Sequence, residues 1–80
     1  MLNWQLELMP NYPVIKPKHL IKVLKKAGFY EIRRRGSHLQ LKKGNLLVTV
    51  PLHNNDIKIE TLKSILRQSK LSIDEILEYS

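Results

Sequence analysis

Two turn signals, Gly36-Ser37 and Lys43-Gly44-Asn45, stand only a few residues apart in the middle of the chain. An interval that short admits one β-strand between them and little else. In Ser37 to Leu41 the leucines Leu39 and Leu41 alternate with His38 and Gln40. A period of two puts both leucines on one face, and the histidine and glutamine on the other. Upstream, Phe29 to Arg35 holds aromatic and β-branched residues; downstream, Leu46 to Val50 is apolar and β-branched and is closed by Pro51. Three short strands joined by such turns make an antiparallel meander.

Helical patterns flank the meander. Pro17 suits a first helical position, where its missing N–H costs nothing. Leu20, Ile21, Leu24 and Ala27 follow at helical spacing, with Lys18, Lys22, Lys25 and Lys26 on the remaining faces. Gly28 suits a left-handed stop. Beyond the strands, Leu62, Ile65, Leu66 and Ser69 form a second stripe that ends near Lys70. Ser72 with Glu75 three residues later predicts a capping box for a last short helix, and Leu71 with Ile76 a hydrophobic staple. Asp74 and Glu75 fall in its first turn, where the helix dipole favours acids.

Residues 1–16 read as an irregular arm, broken by Pro10 and Pro13 with a turn signal at Asn11; Trp4, Leu6, Leu8 and Met9 supply apolar groups that can pack on a neighbour. The order is therefore α-β-β-β-α plus a terminal helical turn. Helices on either side of a meander must bury their stripes against one face of the sheet, which predicts a two-layer α+β fold. Eighty residues suffice for one domain, taken here as 1–80. The opposite sheet face is left open, and His38 points to it.

Charge points to a partner. The chain carries 14 Lys and Arg against 7 Asp and Glu, a net +7. Ten of the basic residues fall between Lys16 and Lys43 with a single acid, Glu31. A segment this electropositive attracts polyanions, nucleic acid first among them. The absence of cysteine removes disulfides, thiolate zinc, cysteine nucleophiles and iron–sulfur clusters. No apolar run approaches the roughly 18–20 residues that span a bilayer, and the N-terminus lacks a signal-peptide pattern. A cytoplasmic protein with no membrane partner is the expectation.

Few residues are placed for chemistry. His19, His38 and His53 share no ligand spacing, and Asp56 is the only acid near His53, so no metal site is expected. Ser37 and His38 are strand neighbours that point to opposite faces and cannot readily share a proton. No nucleophile elbow, GxGxxG or Walker pattern occurs, so no cofactor is expected. There remains a histidine acting alone. RNA supplies its own nucleophile, the 2′-hydroxyl, and one imidazole can take that proton if cations hold the phosphate. His38 beside Arg33, Arg34 and Arg35 has those ingredients. The same electrostatics also suit plain RNA binding without cleavage, and a row of arginines also serves as a solvated strand edge.

The residues also carry a family likeness. Leu24-x-x-Ala27-Gly28-Phe29, Arg35-Gly36-Ser37-His38, Val48-Thr49-Val50-Pro51-x-His53, Thr61 to Gln68 and Leu71-Ser72-x-x-Glu75 occur in this order. With them the chain resembles the HicA (YcfA-like) toxins of bacterial type II toxin–antitoxin systems, from about Pro13 to Leu77. The Gly-Ser-His tripeptide after a basic strand is the most specific element. The resemblance implies a fold like the double-stranded-RNA-binding domain. It implies an endoribonuclease that cuts mRNA and arrests translation, silenced by a HicB-like antitoxin. Because a single histidine suffices for that chemistry, metal-independent cleavage is expected. By the same likeness His38 is the catalytic histidine. Gly36 and Ser37 read as the turn that places it, and the charge of Arg33, Arg34, Arg35, Lys42 and Lys43 reads as a phosphate-binding rim. His53 reads as a structural histidine, with a second acid–base role as the alternative. Many relatives have glycine where this chain has Glu60, so the second long helix is expected to begin earlier, near Lys58.

Overall fold

The computed structural model describes residues 12–80. The expected packing of Trp4, Leu6, Leu8 and Met9, and the breaks at Pro10 and Asn11, fall outside the described residues. Among the described residues the elements are α1 (Pro17–Lys26), β1 (Tyr30–Arg35), β2 (His38–Lys43), β3 (Leu46–Pro51), α2 (Ile59–Ser69) and α3 (Ile73–Tyr79). The strands form one antiparallel sheet in the order β1-β2-β3. The fold is α+β, as the sequence predicts. Both hairpins close on two residues, Gly36-Ser37 and Gly44-Asn45, so Lys43 belongs to β2 and not to the turn.

Local chemistry sets the helix ends. Pro17 is the first residue of α1, after Lys16 in extended backbone. Gly28 ends the helix at φ 103. Its N–H donates to the Lys25 carbonyl at 3.0 Å and the Phe29 N–H to the Leu24 carbonyl at 2.9 Å. Those paired bonds are a Schellman motif, which satisfies carbonyls the helix leaves open. α2 begins one residue after Lys58, with Glu60 in its first turn, and ends on Lys70 in left-handed backbone. The buried Ser69 hydroxyl donates to the Leu66 carbonyl and accepts from the Leu71 N–H, so it carries no unpaired polar group into the core. The capping box of α3 forms in both directions: Glu75 N–H to Ser72 Oγ at 3.1 Å, and Ser72 N–H to Glu75 Oε1 at 3.0 Å. Ile76 is buried, and Leu71 packs against the same core.

That core lies on one side of the sheet. Leu20, Val23 and Leu24 of α1, Leu39 and Leu41 of β2, Val48 and Val50 of β3, Leu62 and Ile65 of α2 and Ile76 of α3 are all buried in it. Full burial of one such side chain contributes about 1.5–3 kcal/mol. The stripe on α1 is centred on Leu20, Val23, Leu24 and Ala27, with Ile21 only half-buried at its margin. Ile15, from the arm, is buried as well, and its carbonyl accepts the Ile57 N–H at 2.8 Å. α2 packs on β3, and α1 packs on β3 and α3. Every residue of β1 is exposed.

One irregularity decides what that exposed strand displays. The β1–β2 register shifts between Glu31 and Arg33, leaving Ile32 as the extra residue of a bulge. Opposed residues in a ladder share a face. Tyr30 opposes Lys42 and Glu31 opposes Leu41, whereas Arg33 opposes Gln40 and Arg34 opposes Leu39. The bulge therefore turns Glu31 to the helix side and Tyr30 to the open side, the reverse of a simple count from Arg35.

Candidate nucleic-acid interface

The open face consists of three cross-strand rows. Arg35, His38 and Pro51 form the first, Arg33, Gln40 and Thr49 the second, and Tyr30, Lys42 and Leu47 the third. No acid stands in any of them. Glu31, the one acid of the basic segment, is on the opposite face and paired with Lys25. The face combines three cations, an imidazole and an exposed aromatic ring.

The ten basic residues from Lys16 to Lys43 divide into two groups. Lys16 pairs with Asp56 at 3.3 Å and donates to the Asn54 carbonyl at 3.0 Å. Lys25 holds Glu31, and Lys26 donates to the Tyr79 carbonyl at 3.1 Å. Arg34 Nε donates to the Gly36 carbonyl at 3.4 Å, and Lys43 Nζ to the Ala27 carbonyl at 2.6 Å. Lys18, Lys22, Arg33, Arg35 and Lys42 have no polar partner among the described residues. Three of those five share the open face with His38.

The five cations expected to form one rim thus stand on two sides. Arg33, Arg35 and Lys42 are on the His38 face. Arg34 and Lys43 are on the helix side, opposite Leu39 and Leu46. Lys43 also lies 5.9 Å from the Phe29 ring centroid, a cation–π geometry that ties β2 to the end of α1.

His38 is the first residue of β2, exposed, with Arg35 directly opposite on β1 and Pro51 on β3. Side chains opposed in this way have Cβ atoms about 4.5–5.5 Å apart, which puts the imidazole and the Arg35 guanidinium within reach of one phosphate. Gly36 has φ 54, and a Cβ built there would meet nothing within 4 Å. Glycine is favoured at that site by backbone conformation and not by crowding. Ser37 acts through its carbonyl, which accepts the Leu52 N–H and extends the β2–β3 ladder past His38.

His53 lies elsewhere. It lines a shallow hollow of about 270 Å³ with Pro17, Lys18, Ile21, Leu52 and Asn54, at the start of α1. None of those residues is on the open sheet face. Among the described residues no three His, Asp or Glu side chains converge in a way that could hold a metal ion. No described helix is long and apolar enough to cross a membrane.

A family model described as the HicA toxin of bacterial toxin–antitoxin systems matches residues 17–71. The chain belongs to the HicA toxin family. The match runs from the first residue of α1 to the link before α3 and includes the whole sheet, His38 and His53. A comparison with curated proteins found no match. A HicA toxin acts in a system with an antitoxin, so an antitoxin partner comes with membership of the family. Among the described residues of this HicA chain, Tyr30 is the one on the open face with an exposed aromatic ring, and parity counted along β1 would have placed it on the other side. The turn-to-turn spacing carries no trace of the bulge.

Proposed function

We propose that the chain is a toxin endoribonuclease that cuts single-stranded mRNA and so arrests translation, with His38 at the scissile phosphate. The observation that carries this reading is the Arg35–His38 pair at the head of an acid-free sheet face. His38 takes the proton of a 2′-hydroxyl, whose oxygen then bonds to the adjacent phosphorus. The bond from phosphorus to the 5′-oxygen breaks, and that oxygen leaves with the proton returned by the His38 imidazolium. Charge on the phosphorane is met by Arg35, with Arg33 and Lys42 holding the flanking backbone. Gly36 and Ser37 set the turn from which His38 projects. Arg34 and Lys43, on the helix side, donate to backbone carbonyls and support the fold, and His53 lines the hollow at the start of α1. The reaction needs no metal, because the substrate brings the nucleophile and the cations are arginine and lysine.

A non-catalytic RNA-binding module would use the same face, and one feature favours it: no described side chain hydrogen-bonds to His38 to orient the ring. Incubation of the purified chain with mRNA in EDTA separates the two. Discrete products support the nuclease, and bound but intact RNA selects the binding module. The HicB-like antitoxin is expected to cover the open face with carboxylates, since charge complementarity steers such partners. Competition between RNA and antitoxin for the chain follows from that arrangement.

A further inference from the structure

Tyr30 is 55% exposed and Leu47 46% exposed, at the two ends of a row whose middle residue is Lys42. Two large, exposed hydrophobic side chains stand here on a face whose charged residues are all cations. The bulge at Ile32 is what brings the ring to this side. The row lies four residues along β2 from His38, about 13 Å at strand rise. A short single-stranded segment covers that distance.

We infer that Tyr30 is a base-stacking platform for single-stranded RNA. One unpaired base lies on its ring and against Leu47, while Lys42 between them holds the adjoining phosphate. Every base has a π-face, so such a platform accepts many sequences, and a neighbouring cation strengthens the contact. An acid-free face that pairs an exposed aromatic ring with cations that have no partner among the described residues fits RNA better than an apolar protein surface. The platform fixes how far the strand extends from the stacked base to the scissile phosphate, and so selects which phosphate reaches His38. This inference rests on the RNA reading above.

The experiment measures binding of a short single-stranded RNA by anisotropy, in the full chain carrying His38→Ala so that the RNA stays intact. Tyr30→Ala is expected to weaken binding about 5- to 150-fold, the range of base–aromatic stacking, with Tyr30→Phe close to the parent. Tyr30→Leu keeps bulk without a π-face and is expected to follow the alanine variant. An RNA scanned with single abasic sites is expected to show one position where base removal weakens the parent but not Tyr30→Ala. That abasic scan of the parent alone also reads the contact if a Tyr30 variant fails to fold. If Tyr30→Ala binds as tightly as the parent while Arg35→Ala and Lys42→Met bind weakly, the platform is wrong and the RNA reading stands. A parent chain that binds no RNA overturns both.

Discussion

Lys42 and Lys43 are consecutive on β2 and face opposite ways. Lys42 stands between Tyr30 and Leu47 on the open face, and Lys43 donates from the other face to the Ala27 carbonyl at 2.6 Å. Two identical side chains therefore have different tasks. One is available to a polyanion; the other closes the C-terminal end of α1 over Phe29.

Their substitutions should separate accordingly. Lys43→Met removes a charged donor from a helix-end carbonyl and is expected to lower stability by about 1 kcal/mol, with RNA affinity nearly unchanged. Lys42→Met is expected to leave the denaturation midpoint in place and to weaken RNA binding. The slope of log affinity against log salt should shrink by about 0.7, the value for one single-strand phosphate contact. Urea melts and salt titrations of the two variants check this directly.

The arginines make a parallel pair. Arg35→Ala should depress RNA binding and cleavage, because Arg35 stands opposite His38. Arg34→Ala should depress them far less, because Arg34 lies on the helix side against Leu39. Equal losses would mean that β1 repacks when RNA binds.

At the turn, Gly36→Ala forces an L side chain to φ 54. The expected cost is about 1 kcal/mol or more, from the backbone and not from a clash, since the space around a Cβ is empty. In the core, Leu41→Ala removes a fully buried side chain from the centre of the sheet, at about 2–5 kcal/mol. Thermal melts of both, beside the parent, give the comparison.

Much of the fold could be read from single residues whose physics is local. Pro17 and Gly28 mark α1, Ser72 with Glu75 marks α3, and the two glycine turns bound β2. The face occupied by His38 follows from Leu39 and Leu41 alone. The division of the cations could not be read in this way. Arg33 to Arg35 and Lys42-Lys43 are uniform in charge, so no alternation reveals which side each one takes. The bulge at Ile32 then reverses parity for Tyr30 and Glu31 without any glycine or proline to announce it. Ile15 joins the core through a backbone bond to Ile57, a contact between segments about forty residues apart that no local pattern records.

The reading of His38 as the group that moves the proton is tested most directly by RNA cleavage with the wild-type chain beside His38→Ala. His38 is an exposed strand residue, so the variant is expected to fold with an unchanged melting temperature and to bind RNA. Its cleavage rate is expected to fall by about 100-fold or more, the contribution of a positioned acid–base group. A folded His38→Ala chain that still cuts RNA at the wild-type rate would contradict the account.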